Sequence, residues 1–323
     1  MTRRRDALLA LAAGALLPAF LRAADRPYPD RPIRIVVTYP PGGQADSVGR
    51  SLASSLGQVL RDSVVVDNRP GGNAMIGAEF VAKAPADGYT LLLGGAANLT
   101  IGPAIYGEQY YDTLRDFATI GRVARVPQLL AVHANLPITT AQQLVAYAKQ
   151  NPGKLTYAST APANELALAS LRAIEGIDIV SVSYKGTSQA MIDLIAGRLD
   201  LILADAASVT PHVRSGTLRV IANAGAERAR EFENVPTMAE QGMPTFVWDS
   251  WQGLVAPKAT PVDVLDRLQR AVKQVVISKE YRDGLERLGF LPIDEAPDRF
   301  SAVLQEEIAR YKALITQLGK QSR

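Results

Sequence analysis

The sequence has 323 residues and a nearly balanced charge, with 35 Lys and Arg against 32 Asp and Glu. It contains no cysteine and two histidines, which excludes disulfides, thiolate metal sites and a cysteine nucleophile, and disfavours a zinc site built on histidine. A chain of this length usually exceeds one domain, so two lobes are expected.

Residues 1–24 have the layout of a secretory signal peptide. Arg3, Arg4 and Arg5 precede a short apolar run, and small residues follow at positions 19–24. Export by the general secretory route is expected, and the paired arginines also permit the twin-arginine route. Loss of this leader removes four arginines and one aspartate and leaves 31 basic and 31 acidic residues. A nearly neutral chain without a basic cluster is not expected to bind nucleic acid.

After the leader, short apolar strands alternate with helical stretches, which predicts parallel sheets covered by helices. The predicted strands are 33–38, 63–66, 90–93, 129–132, 155–158, 179–183, 199–203, 218–222 and 254–256. The predicted helices are 46–60, 75–84, 140–150, 165–175, 188–196, 208–215, 262–278 and 297–318. In the first helix, Val48, Leu52, Leu56 and Val59 have the spacing of one buried face.

Two extended apolar stretches, 116–132 and 246–256, lack helical periodicity and flank a complete run of strands and helices. This arrangement predicts a chain that crosses into a second lobe and returns. Lobe 1 would comprise residues 25–125 and 250–323, and lobe 2 residues 126–249. A single large sheet is the alternative. Trp248 and Trp251 lie in the return crossing, where they could pack at a hinge or contact a ligand.

The first strand runs into the turn Pro-Pro-Gly-Gly at residues 40–43, which opens directly onto a helix. Gly42 and Gly43 allow close approach of a ligand to the backbone. The helix directs unpaired N–H groups and its positive dipole end at the turn, which suits a carboxylate. An ordinary turn between strand and helix is the alternative. Asp46 is expected to favour the first helical turn, because its carboxylate would repel an anionic ligand.

Five later loops share the small, polar composition of this turn, namely residues 68–74, 94–100, 159–165, 185–188 and 205–208. Loops that follow strands in open α/β sheets face the ligand crevice, so these loops predict capture of a small polar molecule by hydrogen bonds. Nucleotide-binding glycine patterns and the G-x-S-x-G nucleophile motif are absent from the sequence. No enzyme activity, cofactor or metal is therefore expected.

Several motifs occur together in a fixed order. They are YPDRPIRIVV from Tyr28, PPGG from Pro40, VDNRPGG from Val66 with IGA from Ile76, KAPADGYTLL from Lys83, YKG from Tyr184 and DLIAGRLD from Asp193. On these motifs the chain resembles the Bug-type periplasmic solute receptors of tripartite tricarboxylate transporters. The resemblance runs from about Tyr28 to the C-terminus.

The resemblance implies an α/β, two-lobed periplasmic-binding-protein fold of the Venus flytrap, type II-like kind, with two crossing strands. Such a receptor closes on a small organic acid or amino-acid-like ligand in the periplasm, and a tripartite tricarboxylate-type membrane permease is its partner. A monomer is expected. In the family, the first strand–helix loop grips one carboxylate through backbone groups and ordered water. A sensor that presents bound solute to a membrane signalling receptor is the alternative function.

The loop that begins at Ser159 departs from the family pattern, because Glu165 stands where histidine is common. An ionised carboxylate there would disfavour a second negative group on the ligand. The ligand could then be a monocarboxylate, an amino acid or an amide-like molecule. Alternatively, Glu165 turns outward and caps its helix. Asp205 matches an aspartate that is often found in the family.

The candidate ligand-binding residues come from the loops that follow the strands. They are Tyr39, Pro41, Gly42, Gly43, Gln44, Ala45, Ala96, Ala97, Asn98, Ser159, Thr160, Ala161, Asn164, Glu165, Tyr184, Lys185 and Asp205.

Overall fold

The computed structural model describes residues 28–321. The predicted signal peptide, residues 1–24, lies outside the described residues. Within residues 28–321, none of the helices is long and apolar enough to cross a membrane.

The described chain forms two sheets. The first has six strands in the order β11-β4-β10-β3-β1-β2, and the second has five in the order β7-β6-β8-β5-β9. The strands of the first sheet are β1 (Ile33–Val37), β2 (Val64–Asn68), β3 (Thr90–Gly95), β4 (Phe117–Val126), β10 (Ser250–Pro257) and β11 (Leu291–Pro292). The strands of the second sheet are β5 (Gln128–His133), β6 (Thr156–Ser159), β7 (Val180–Ser183), β8 (Leu201–Asp205) and β9 (Leu218–Asn223).

Eleven α-helices of the described chain cover these sheets. They are α1 (Gln44–Leu60), α2 (Met75–Ala82), α3 (Gly102–Tyr106), α4 (Thr113–Asp116), α5 (Ala141–Gln150), α6 (Pro162–Glu175), α7 (Thr187–Ile195), α8 (Ala206–Arg214), α9 (Val262–Ile277), α10 (Lys279–Arg287) and α11 (Pro297–Gln321). A π-helical turn, Ala97–Ile101, leads directly into α3. Every predicted strand and helix has an observed counterpart, with shifted ends.

The sheets are mixed, whereas the sequence pattern predicted parallel sheets; the parallel part is confirmed and the strands at the crossing differ. β1 pairs in parallel with β2 and β3, and β6 pairs in parallel with β7 and β8. The strands at the crossing run the other way: β10 is antiparallel to β3 and β4, and β5 is antiparallel to β8 and β9. The chain leaves the first sheet through β4 and re-enters it through β10, so these two strands run in opposite directions.

The predicted crossings are both present. β4 ends at Val126 and β5 begins at Gln128, so Pro127 alone joins the two sheets on the outward path. Proline has no N–H group to continue a ladder, which separates the two strands at this point. On the return path the N–H of Trp248 donates to Ala224 O next to the second sheet, and β10 then enters the first sheet.

Helix α11 packs against the cores of both sheets. Phe300 and Leu304 belong to a buried cluster with first-sheet residues such as Val36, whereas Tyr311 belongs to the cluster around the second sheet. The alternation of buried residues along this helix follows the helical period that its sequence predicts. The last helix therefore contacts both cores. The lobe boundaries predicted from the sequence stay a prediction.

The buried face of α1 is confirmed for Val48, Leu52 and Leu56, which have at most 1 % exposure. Three α-helices were missed, namely α3, α4 and α10. The π-helical turn with α3 contains Gly102 and Pro103, which are typical of a loop, and α10 is a short, mostly charged segment whose start is capped by Ser278.

Gly253 on β10 allows close packing of α11 on the crossing strand. A Cβ atom there would lie 2.4 Å from Cζ of Phe300, a side chain with 0 % exposure. We expect Gly253→Ala to lower the free energy of unfolding by about 1–3 kcal/mol, because the ring has no free space to move into. Urea unfolding measures the change. Gly121 is the matched control: it pairs with Leu254 on the neighbouring strand, and an added Cβ would meet Val272 Cγ1 at an ordinary 3.5 Å. Equal losses in the two alanine variants would contradict this account.

Candidate ligand-binding cleft

Two adjoining cavities, of about 180 Å³ and about 270 Å³, lie where the loops of the two sheets meet. Tyr39, Ala97, Ile101 and Ala161 line both cavities, so we treat them as one cleft. The larger cavity adds residues of the first-sheet loops and of the loop at Thr160. The smaller adds Gln44, Gly95, Ala96, Gln128, Ala163, Asn164, Thr187, Leu203, Ala204, Asp205, Trp248, Asp249, Ser250, Trp251, Gln252 and Tyr311.

The start of α1 borders this cleft through Gln44. Gly43 is the N-cap residue, and no side chain of the described chain makes a capping hydrogen bond there. The first N–H groups of a helix have no partner within the helix and carry partial positive charge. Position 42 favours glycine for another reason: its φ of +84° is a conformation that other residues rarely adopt. The turn thus presents a helix end to the cleft.

The carboxylate of Asp46 holds this turn in place through hydrogen bonds. Its Oδ2 accepts hydrogen bonds from Gly42 N at 2.9 Å and from Arg50 Nε at 2.9 Å, and its Oδ1 accepts one from Asn68 Nδ2 at 3.0 Å. The hydrogen bond from Arg50 is the main reason that the pKa of Asp46 lies below its ordinary value, and burial opposes it. The predicted structural role of Asp46 agrees with these contacts.

Three other helical starts at the cleft resemble that of α1. The π-helical turn begins after Ala96, α6 begins after Ala161 and α7 begins after Gly186. None of the three has a side-chain cap within residues 28–321. Alanine and glycine cannot supply the oxygen with which serine, threonine, asparagine or aspartate caps a helix. Helix starts from both sheets therefore face the cleft with their N–H groups uncapped.

The side chains that line the cleft are mostly neutral. Gln44, Gln128, Asn164, Thr187 and Gln252 offer hydrogen-bonding groups. Among the described residues, no lysine, arginine or histidine lines either cavity. A ligand anion would therefore meet backbone dipoles and amides in place of cationic side chains.

Two carboxyl groups border the cleft, and both have partners. Asp205 is the N-cap of α8, where its Oδ1 accepts from Ser208 N and its Oδ2 from Ser208 Oγ, each at 2.9 Å. Asp249 lies at the return crossing, with Oδ2 3.9 Å from Arg125 Nη1. Burial raises the pKa of Asp249, and the charge of Arg125 acts against this.

Glu165 neither faces the cleft nor caps its helix, which were the two alternatives predicted from the sequence. Its Oε1 accepts from Tyr157 Oη at 2.8 Å and its Oε2 from Ser181 Oγ at 2.6 Å. These partners lie on β6 and β7, and Glu165 does not line the cleft formed by the described residues. The loop before α6 ends in Ala161, so Glu165 is not its cap either. Glu165 is therefore not placed to disfavour a second negative group on the ligand.

The other predicted site residues fall into two groups. Tyr39, Gln44, Ala96, Ala97, Thr160, Ala161, Asn164 and Asp205 line the cleft. Pro41, Gly42, Gly43, Ala45, Asn98, Ser159, Tyr184 and Lys185, like Glu165, fall outside the lining as far as the described chain shows.

Some of the residues outside the lining have clear structural roles. The buried Asn98 accepts from Gly95 N at 2.9 Å and donates to Thr38 Oγ1 at 3.0 Å, which fixes the turn after β3. Tyr184 donates through its hydroxyl to Asp193 at 2.9 Å.

Sequence patterns did not indicate that Gln128, Gln252 or Tyr311 lines the cleft. Gln128 and Gln252 lie on the crossing strands and Tyr311 on α11, outside the loops that were singled out. Trp248 and Trp251 line the cleft and are at most 9 % exposed, so they have both a packing role and a face on the cavity. Within residues 28–321, no group of three or more His, Asp or Glu side chains is placed to hold a metal ion.

Substitution of Asp46 tests whether its hydrogen bonds stabilise the turn before α1. Because its pKa is lowered, the ionised carboxylate stabilises the fold above its ordinary pKa, and this stability is lost as pH falls through the lowered pKa. Asp46→Asn should lower the free energy of unfolding by about 1–3 kcal/mol at neutral pH, since a neutral amide accepts weaker hydrogen bonds from Arg50 and Gly42. Urea unfolding of variant and wild type at neutral and acidic pH measures this. A difference that stays constant with pH would contradict the proposed role.

The chain matches the family model described as "Tripartite tricarboxylate transporter family receptor" over residues 48–320. The Bordetella pertussis protein BugT is 34 % identical over 295 residues, which cover 90 % of this chain and 90 % of BugT. A Rhodopseudomonas palustris protein solved with adipate is 32 % identical, with a TM-score of 0.79 over 90 % of this chain and 98 % of that one.

Two further solved structures are similar. The periplasmic binding protein BugD is 30 % identical, with a TM-score of 0.76 over 90 % of this chain and 99 % of BugD. MatC from Rhodopseudomonas palustris with bound malate is 26 % identical, with a TM-score of 0.76 over 89 % of this chain and 100 % of MatC. These matches confirm the resemblance drawn from the motifs, the two-lobed α/β fold with its two crossing strands, and the solute-binding, non-enzymatic class. The chain belongs to the tripartite tricarboxylate transporter receptor family.

Proposed function

We propose that this protein captures a small carboxylate-bearing metabolite in the periplasm and delivers it to a tripartite tricarboxylate-type membrane permease. The observation that carries the proposal is the convergence of uncapped helix starts from both sheets on one cleft. Unpaired N–H groups and the positive end of the helix dipole favour an anionic group at such positions. The relatives solved with adipate and malate support a carboxylate ligand.

We further propose that the ligand is an acid with two carboxyl groups. Helix starts at Gly43 and Ala96 come from the first sheet, and those at Ala161 and Gly186 come from the second. Each set can accept one acid group, and Glu165 is engaged with Tyr157 and Ser181 away from the cleft. An acid that bridges the two sets contacts both lobes at once.

A ligand that bridges the two lobes provides a physical reason for the lobes to close. Lobe 1 would comprise residues 25–125 and 250–323 and lobe 2 residues 126–249, with residues 1–24 as the export leader. A ligand that contacts both lobes binds the closed arrangement more tightly than the open one, and it shifts the population by that difference in affinity. The protein would act as a monomer that the permease recognises in its closed form.

The first prediction concerns ligand-dependent stability. Protein that has been unfolded, stripped of bound metabolites and refolded should gain thermal stability with at least one small dicarboxylic acid, adipate and malate being the first probes. Binding at a ligand concentration of about 100 times Kd adds about 2.7 kcal/mol to the free energy of unfolding. A thermal shift assay measures the gain. A broad panel of organic acids in which no member stabilises the stripped protein would contradict the proposal.

The second prediction concerns Gly43. Its φ of −86° and ψ of 177° suit a side chain, and the nearest atom of the described structure to an added Cβ would be Pro40 O at 3.8 Å. Gly43→Val should keep the fold but weaken acid binding by about tenfold or more, because the branched side chain blocks the start of α1. Titration calorimetry with the stabilising acid measures the loss.

Gly43→Ala is the control for this prediction, because it has the same backbone and a smaller side chain, and it should give an intermediate loss. Unchanged affinity in the valine variant would remove the α1 turn from the binding site.

A further inference from the structure

The two cavities of the cleft differ in their chemistry. The smaller cavity, of about 180 Å³, is lined by four amide side chains and two carboxyl groups. The larger cavity, of about 270 Å³, has no charged side chain among the described residues of its lining. Its apolar surface comes chiefly from Pro40, Pro70, Pro162, Ile101 and Ile105. One part of the cleft therefore suits polar groups and the other suits apolar ones.

The division between the two cavities runs through single turns. In the turn before α1, Pro40 lines the larger cavity and Gln44 lines the smaller. At the start of α6, Pro162 lines the larger cavity, whereas Ala163 and Asn164 line the smaller. Proline has no N–H group to donate. In both turns, residues that can donate an N–H group from the helix start line the smaller cavity, and a proline ring lines the larger one.

The polar side chains around the larger cavity are neutral, and several are bonded to one another. Thr38 Oγ1 accepts from Asn98 Nδ2 at 3.0 Å, and Asn73 Nδ2 donates to Tyr106 Oη at 3.0 Å. The other side-chain hydroxyl groups of the lining are those of Tyr39 and Thr160. A carboxylate that leaves water for such surroundings loses its hydration without gaining a cation, which is costly. We therefore expect no acid group of the ligand in this cavity.

The start of α2 also borders the larger cavity, through Ala74, and it has no side-chain cap. Its first N–H group, that of Met75, already donates to Gly72 O. The side chain of Ile76 covers the preceding turn, since a Cβ added at Gly71 or Gly72 would lie 3.0 Å from it. Both contacts disfavour an acid group at this helix start, and the experiment below includes an acid that tests for one.

The larger cavity has room for an aromatic ring. In another protein, an apolar cavity of about 150 Å³ binds benzene, and the larger cavity has about 270 Å³. Two of its large apolar side chains are exposed in the ligand-free protein, Ile105 by 43 % and Tyr39 by 38 %. A ligand that covers them removes apolar surface from water, which favours binding.

We propose that the ligand carries, besides its acid groups, an apolar group of about the size of a phenyl ring that occupies the larger cavity. This inference rests on the function proposed above and narrows its ligand to acids with an apolar substituent. The helix starts bind the acid groups in the smaller cavity. The apolar group contacts Pro40, Pro70 and Ile105 beside the first sheet and Pro162 beside the second, so it also favours the closed arrangement of the lobes.

Calorimetry with three succinic acids that differ in the substituent on one methylene carbon tests this preference. Succinate has a hydrogen there, benzylsuccinate an apolar ring and carboxymethylsuccinate a further acid group. Benzylsuccinate should bind the stripped and refolded protein at least about tenfold more tightly than succinate, because its ring leaves water. Equal affinities for these two acids would overturn the proposal. Tighter binding of carboxymethylsuccinate than of benzylsuccinate would also overturn it, because the larger cavity would then accept an acid group.

Ile105→Asn places a polar amide in the larger cavity, and the exposure of Ile105 allows the fold to survive the change. The ratio of benzylsuccinate affinity to succinate affinity should fall by about threefold or more, because part of the apolar contact is lost. Ile174→Asn is the matched control: Ile174 of α6 is also 43 % exposed and lines neither cavity. It should keep the wild-type ratio. An equal change of the ratio in the two variants would overturn the assignment to this cavity.

Fluorobenzene, which has no acid group, separates this inference from the proposed function. Its fluorine NMR signal should broaden with the ligand-free protein and with Ile174→Asn, and it should broaden less with Ile105→Asn. No broadening with the wild type, or equal broadening with both variants, would overturn the inference. If fluorobenzene binds in this way and none of the acids binds, the proposed carboxylate function fails, whereas the apolar site is supported.

Discussion

The backbone N–H groups at the helix starts around the cleft are the constraint on which the rest of the site depends. Some helix starts of the described chain have side-chain caps: Thr140 accepts from Gln143 N, Ser278 from Tyr281 N and Asp112 from Leu114 N. The starts of α2 and α9 have none. At the cleft, Gly43 and Ala161 stand in the cap positions and supply no such oxygen. At these two starts a ligand's acid group can take the place of a side-chain cap, whereas α8, which also begins at the cleft, is capped by Asp205.

This arrangement also accounts for a cleft lining in which the described residues include no cationic side chain. A lysine or arginine in the cleft would bind an acid strongly but would need a carboxylate partner when the site is empty. Helix starts hold partial charge without that requirement, since their dipoles are fixed by the fold. Asp46 and Asn98 hold the two first-sheet turns in place through hydrogen bonds. The N–H groups at these helix starts are therefore positioned before a ligand arrives.

The connection between the sheets depends on α11 and the crossing strands. Phe300 packs on Trp251 with ring centroids 5.3 Å apart, and Tyr311 packs on Trp248 at 5.5 Å. The same helix carries Glu307, which contacts the π-helical turn. Packing of the last helix is therefore coupled to the shape of the cleft lining, and any hinge motion must accommodate contacts that α11 makes with both cores.

Local patterns in the sequence predicted much of this fold. The β1–turn–α1 unit follows from a β-branched run, a Pro-Pro-Gly-Gly turn and the spacing of Val48, Leu52 and Leu56. The direction of Glu165 could not be predicted, because it depends on Tyr157 and Ser181, which are distant in the sequence from one another. Gln128 and Gln252 were missed for a similar reason: a crossing strand has no periodic signal to show which residues face a cavity.

A crystal structure of the stripped protein with the acid that stabilises it most would show directly which groups bind the acid. We expect carboxylate oxygens of the ligand within hydrogen-bonding distance of backbone N–H groups at the starts of α1 and α6, with no cationic side chain in contact. An acid group bound instead to guanidinium groups, such as Arg230 and Arg287 in the separate cavity of about 470 Å³ between α8 and α10, would contradict it.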